Sequence, residues 1–245
     1  MSKRYQAVLE KIDLNKKYHP LEAIDFILNN WPKKFDETLE LHGKLSIDPT
    51  KSDQTVRTNV VLPHGTGKSP VVLVFAQGDL ADEAKKAGAD YVGFQDLIEE
   101  VKKGNVKFDV AVATLDVMPV IGKQLGKVLG PKMPSPKAGT VGNNIKQIVE
   151  ELKKGKIQIR NDKLGNYHIP LGKLSFGKEK LYENLLAAVK TLIKAKPATA
   201  KGTFIESAFL SSTMSPSLKI DTKILMDDIF CSNLFSLKLL GIFYS

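Results

Sequence analysis

His64-Gly65-Thr66-Gly67-Lys68-Ser69 is the stretch whose residue types come closest to catalytic machinery. A glycine-rich run ending in Lys-Ser can cradle phosphates, with backbone N–H groups as donors and the lysine as counter-charge. The spacing does not carry that chemistry. The pattern requires a glycine five positions before Gly67, and Leu62 stands there. Pro70 and an apolar run follow, so no helix N-terminus faces the phosphates. The four histidines, His19, His42, His64 and His168, lack metal-ligand spacing, and Cys231 stands alone. Asp82-Glu83 and Glu99-Glu100 fall on predicted helix surfaces, where carboxylate pairs are normally solvated. No serine sits in a nucleophile elbow. These residues predict no enzyme, no metal and no cofactor. The alternative reading is a nucleotide-binding enzyme using Gly67-Lys68-Ser69.

Binding chemistry is better supplied. The 245 residues carry a net charge of +9, which points to a polyanionic partner, nucleic acid first and anionic membrane second. Val117 to Val149 holds Lys123, Lys127, Lys132, Lys137 and Lys146 and no acidic residue. Its centre, Leu129 to Thr140, is too rich in proline for a helix or strand interior. It reads either as a solvated loop or as a lysine-bearing loop that follows an RNA or protein surface. In Lys33-Lys34-Phe35-Asp36-Glu37-Thr38 an aromatic ring sits between cations and polar groups. Phe35 is either a staple into the core or a platform for sugar or base. Ser211-Ser212-Thr213-Met214-Ser215-Pro216 makes a tight, donor-rich turn between two alternating runs.

The elements that must position these groups follow from periodicity. Pro20 opens a helix whose stripe is Leu21, Ile24, Ile27, Leu28 and Trp31, and Pro32 stops it. Leu39, Leu41, Leu45 and Ile47 then alternate with Glu40, His42, Lys44 and Ser46, a strand buried on one face. From Val71 the style changes. Val71 to Ala76 is continuously apolar, the mark of a strand covered on both faces. Strand, helix, strand, helix, strand follows to Ala113, and Asn143 to Lys154 reads as a closing helix. After Gly155 the first style returns: Lys156 to Arg160 and Tyr167 to Ile169 read as two arms of a hairpin. Lys178 to Lys194 is the strongest helix, striped by Leu181, Leu185, Val189 and Leu192.

The expected fold is mixed α/β and α+β in two domains. A discontinuous α+β domain, residues 1–66 plus 156–226, carries an inserted three-layer, Rossmann-like α/β domain over 67–155. Residues 227–245 form an atypical apolar tail. It reads either as a frameshifted terminus or as a helix seeking a membrane or partner. A single cysteine and the lack of an apolar stretch of signal-peptide or membrane-span length predict a reducing compartment.

Several longer strings are specific. Phe35-Asp36-Glu37-Thr38-Leu39-Glu40-Leu41-His42, Ile47-Asp48-Pro49, Ser52-Asp53-Gln54-Thr55-Val56-Arg57 and Leu62-Pro63-His64-Gly65-Thr66-Gly67-Lys68 stand in order near the N-terminus. Leu129-Gly130-Pro131-Lys132, Met133 to Val141 and Ser211-Ser212-Thr213-Met214 follow. Together they resemble the ribosomal protein L-one family of the large subunit, along the chain as far as about Lys223. The resemblance implies the two-domain plan and a structural, non-catalytic protein of the ribosome. It implies binding to the large-subunit rRNA stalk beside the tRNA exit site, with exit-site tRNA as a neighbour. In bacterial members it implies repression through the protein's own mRNA. No small-molecule substrate and no membrane partner are expected. The location implied is a cytoplasmic ribosome, with an organelle ribosome as the alternative. The RNA-binding residues it implies are Lys34, Phe35, Thr38, Glu40 and Lys44 on the first strand, and Thr213, Met214 and Ser215 on the closing turn.

The chain departs from the family pattern in two of these strings. Ser215 and Ser217 stand where glycine is usual, and a Gly-Leu pair is missing between Lys132 and Met133. Glycine at the turn would allow positive φ or close backbone approach, and serine is expected to hinder both.

Overall fold

The computed structural model describes residues 3–13, 16–30, 35–200 and 202–229. The first elements are α1 (Lys3–Leu9), α2 (Pro20–Asn30), β1 (Thr38–Leu45) and β2 (Arg57–Val61). Next come β3 (Val72–Phe75), α3 (Asp79–Lys86), β4 (Tyr91–Gly93), α4 (Gln95–Lys102), β5 (Val110–Ala113), α5 (Met118–Leu129) and α6 (Ile145–Lys153). The last are β6 (Lys156–Arg160), β7 (Asn166–Lys173), α7 (Lys178–Lys194), β8 (Ile205–Ser212), β9 (Leu218–Lys219) and α8 (222–229). The chain divides into two compact units, Met1–Gly67 with Gln158–Ser245 and Lys68–Ile157.

The discontinuous unit is built on an antiparallel sheet of order β7-β1-β8-β9. Alternation decides which face of β1 is covered. Leu39, Leu41 and Leu45 are buried, as are Tyr167, Ile169 and Leu171 of β7 and Ala208 and Leu210 of β8. Helix α7 packs on β7 and α2, and α2 reaches β8. The stripe Leu181, Leu185, Val189 and Leu192 of α7 is fully buried. Each such leucine stabilises the fold by roughly 2 kcal/mol relative to exposure. The other face, with Glu40 and Lys44 exposed and Thr38 and His42 partly so, has no covering layer of helix among the described residues.

The inserted unit has a parallel sheet of order β4-β3-β5. All four residues of β3 are buried because both faces are covered. Leu97, Ile98 and Val101 of α4 with Ile121, Leu125 and Leu129 of α5 pack on one side. Ala84 of α3 with Ile145, Val149 and Leu152 of α6 pack on the other. Asn144 caps α6 by accepting from the Gln147 N–H at 3.3 Å.

One element was not expected, and one expectation needs correction. The basic stretch from Val117 opens as a helix, Met118–Leu129. Pro119 sits in its first turn, where a missing N–H costs nothing. Ile121, Leu125 and Leu129 make its buried stripe, while Lys123 and Lys127 point to solvent. Lysine density hid that stripe. The expectation to correct is the hairpin. Lys156–Arg160 and Asn166–Lys173 are not its two arms: β6 pairs with β2 and β7 with β1. The link between them does turn like a hairpin, with the Asp162 carboxylate accepting from the Leu164 and Asn166 N–H groups at 2.8 Å. Asn161, however, exchanges hydrogen bonds with Val56, taking the Val56 N–H on Oδ1 at 2.8 Å, and this ties β6 to β2. The C-terminal apolar stretch starts inside α8, where Leu225 and Ile229 are buried and Asp228 accepts from the Tyr182 hydroxyl at 2.7 Å. Its remainder, from residue 230, lies outside the described residues.

Candidate nucleic-acid interface

Strand β8 runs into β9 through the turn at 212–217, with Phe209 opposite Lys219 and Leu210 opposite Leu218. β8 also lies beside β1, Leu39 opposite Ser212 and Glu40 opposite Ser211. The turn therefore stands next to the entry of β1, and the Thr38 N–H donates to Thr213 Oγ1 at 3.2 Å. Residues 175 positions apart in the chain share one edge. Two large apolar side chains project from it into solvent, Phe35 at 52% and Met214 at 56% exposure. Glu40 and Lys44 follow on the open face of β1, Lys44 paired with Glu206 at 3.3 Å. That ion pair is about half exposed and adds little stability.

The entry segment is held on both sides. A bulge in β7 sets Leu39 opposite Gly172 but Glu40 opposite Pro170, leaving Leu171 as the extra residue. Gly172 has φ +149°, and a Cβ there would lie 3.0 Å from the Phe176 ring. Beyond the bulge, Lys173 Nζ donates to the Asp36 carbonyl at 2.9 Å. Ser175 donates to the Asp36 carboxylate from N–H and Oγ, at 3.1 and 2.7 Å. The Leu174 N–H donates to the Glu37 carbonyl at 2.9 Å. On the other side the Glu37 side chain is wholly buried. Its carboxylate accepts from Ser212 Oγ at 2.6 Å and from the Met214 N–H at 3.3 Å. The turn also closes on itself: the Ser212 N–H donates to Ser215 Oγ at 2.8 Å, and Ser215 Oγ donates to the Pro216 carbonyl at 3.1 Å. Behind it, Pro216 and Leu218 back onto Val8, Ile12, Phe26 and Ile27 around a small cavity.

Across the open face runs a row of rings. His42 is the register partner of His168 on one side and Phe209 on the other. Centroids are 6.2 and 5.8 Å apart, with planes 16° and 13° from parallel. Burial, and then His168, hold the His42 imidazole below its ordinary pKa, against the pull of Glu40.

Residues 27–216 match the Ribosomal protein L1p/L10e family. The chain belongs to the ribosomal protein L1p/L10e family. It is 55% identical over 223 residues to the large ribosomal subunit protein uL1 of Thermosipho africanus, covering 90% of this chain and 96% of that protein. It is 50% identical to uL1 of Thermus thermophilus over 89% of this chain and 96% of the relative. For uL1 of Fervidobacterium nodosum the figures are 49%, 92% and 97%.

The fold brings Phe35, Thr38, Thr213, Met214 and Ser215 to one edge, with Glu40 and Lys44 following on the open face of β1. Lys34 lies outside the described residues. The strain expected at Ser215 and Ser217 is absent, because no described residue other than glycine has positive φ. Ser215 instead gives the turn a hydrogen bond that glycine cannot. Ser215→Gly is therefore expected to weaken RNA binding about threefold, the worth of one hydrogen bond near 0.7 kcal/mol. A titration with stalk RNA checks this, and tighter binding would reverse the sign. Glu37 and Ser212 fall inside stretches that the sequence marks, but their pairing with each other is not legible there, nor is the row of His42, His168 and Phe209. Glu37 lies inside one of the family strings, yet nothing local marks a carboxylate as buried. The period-two pattern did place His42 on the same face as Glu40 and Lys44.

Among the described residues no group of three or more His, Cys, Asp or Glu side chains could hold a metal ion. Among them, too, no helix is long and apolar enough to cross a membrane.

Proposed function

We propose that this protein is a structural component of the large ribosomal subunit that binds the rRNA stalk beside the tRNA exit site. On this reading it acts through that stalk in the release of deacylated tRNA. It also represses translation by binding a similar fold in its own mRNA. The discontinuous unit, residues 1–66 plus 156–226, serves as the RNA-binding domain, and the unit over 67–155 is an inserted domain. The protein works on cytoplasmic ribosomes and is not an enzyme. The observation that supports this most is the meeting of Phe35 and Thr38 with Thr213 and Met214 at one braced edge. The relatives named above, large ribosomal subunit proteins, point the same way.

The chemistry suits recognition of RNA shape. The hydroxyls of Thr38, Thr213 and Ser211 can donate to phosphates and 2′-hydroxyls, and the Glu40 carboxylate can accept from 2′-hydroxyls. Phe35 and Met214 shield those bonds from water, and a shielded donor left unpaired costs about 1–3 kcal/mol. Because the site is mostly uncharged, binding releases few counterions and salt dependence is moderate.

The test compares affinity for a stalk-RNA fragment with that for an unrelated stem-loop of equal length. Phe35→Ala and Met214→Ala are each expected to weaken stalk binding by about tenfold, or about 1.4 kcal/mol. Lys85→Ala, on the exposed face of α3 beside Asp82, should leave it unchanged. Equal losses for all three variants would reduce the interaction to unspecific electrostatics.

A further inference from the structure

We propose that His42 and His168 form a phosphate contact on the open face of the sheet, and that this contact takes up a proton when RNA binds. The inference rests on the RNA-binding reading above and adds two contact residues to it. Both rings stand on the face that carries Thr38, Glu40 and Lys44, one strand apart and in direct register. The ring planes are nearly parallel, 16° between His42 and His168 with centroids 6.2 Å apart, and both rings stand on the face that no helix covers among the described residues. A neutral imidazole offers one N–H donor and an imidazolium offers two, so protonation doubles the donors available to a phosphate and adds a charge.

The surroundings set the direction. Free of RNA, His42 is partly buried and faces His168, and both conditions disfavour the charged form. The ionic groups around the pair are mixed. Glu40 and Lys44 flank His42 along β1, and Glu206 neutralises Lys44. Asp162 interacts with His168 from the turn before β7, and Lys219 stands opposite Phe209 from β9. Among the described residues no permanent cation is in register with His42. A phosphate brought to this face supplies a counter-charge that offsets the burial and the neighbouring His168, the two conditions that disfavour protonated His42. Its arrival favours the charged form of His42, so binding consumes protons.

The sign follows from linkage. A pKa raised on binding strengthens affinity fully below the free-state pKa, and the gain is lost as pH rises through the bound-state pKa. With histidine near 6.5 in the unperturbed state and His42 below that when free, affinity should fall between about pH 5.5 and about pH 8.

The experiment measures stalk-RNA affinity at pH 5.5, 6.5 and 8 at fixed ionic strength, for the full chain and for His42→Gln, His168→Gln and the double variant. Calorimetry in two buffers of different ionisation heat counts the protons taken up. For the unaltered chain, affinity is expected to be about tenfold greater at pH 5.5 than at pH 8, with about one proton bound near pH 6.5. The double variant should lose that slope while keeping its thermal unfolding temperature, and it should bind more weakly than the unaltered chain at pH 5.5. If either single variant also flattens the profile, that residue carries the proton. A profile flat in pH for the unaltered chain overturns the inference, and so does an unchanged slope in the double variant. Neither outcome touches the RNA reading, which fails separately if stalk RNA is not preferred over the unrelated stem-loop at pH 8.

Discussion

Glu37→Ala is expected to loosen the whole recognition edge. The Glu37 carboxylate is wholly buried and is the shared acceptor for Ser212 Oγ and the Met214 N–H. Removing it leaves a partly buried N–H and a buried hydroxyl without that acceptor, and it empties the space of a carboxylate. The expected loss in unfolding free energy is about 3 kcal/mol, the sum of two orphaned groups in the 1–3 kcal/mol range. Stalk-RNA affinity should fall at least as far as in Met214→Ala, because the Met214 backbone is no longer held. Glu37→Gln separates charge from geometry. Its carbonyl oxygen can still accept both bonds, so it should keep most of the affinity. If Glu37→Ala binds stalk RNA like the unaltered chain, the turn is held by Ser215 and packing alone.

The larger effect on stability is expected at Asn184. This residue of α7 is fully buried and uses both ends of its amide. Its Oδ1 accepts from the His64 N–H at 3.1 Å, while Nδ2 donates to the carbonyls of Gly65 and Leu171 at 3.0 and 2.7 Å. One side chain thereby ties the loop after β2 and the bulged end of β7 to the central helix. Asn184→Ala strands three backbone groups and should destabilise the discontinuous unit by about 4 kcal/mol. Urea unfolding followed by circular dichroism checks this, and a loss below about 1 kcal/mol would mean water replaces the amide. Asn184→Leu should do no better, since a side chain of similar size restores none of the three bonds. Asn184 holds the Leu171 carbonyl at the bulge of β7 beside the entry of β1, so a weakened RNA affinity is expected to accompany the loss.

The sequence was most informative where a period met a single buried face. The alternation of Leu39, Leu41 and Leu45 with Glu40, His42 and Lys44 is enough to identify β1 and its open face. Leu181, Leu185, Val189 and Leu192 do the same for α7, and the unbroken run around Val72–Phe75 marks a strand covered twice. Helix α5 was not legible, because its stripe is diluted by Pro119, Gly122, Gly126 and two lysines. The partners of β6 and β7 were not legible either. A turn centred on Asp162 looks the same locally whether its two arms pair with each other or with different strands.

What the sequence determined by itself is local and compositional: the elements, their buried faces, the excess positive charge and the strings that carry the family resemblance. Hydrophobic periodicity and turn chemistry depend on neighbours a few residues away, so they are written in the chain directly. Only the tertiary structure decided that Glu37 is a buried brace, that Ser215 fastens the turn without strain, and that His42, His168 and Phe209 stand in one row. Each of these depends on strands brought together from distant parts of the chain. A carboxylate, a serine or a histidine carries no local sign of which partner the register will set beside it.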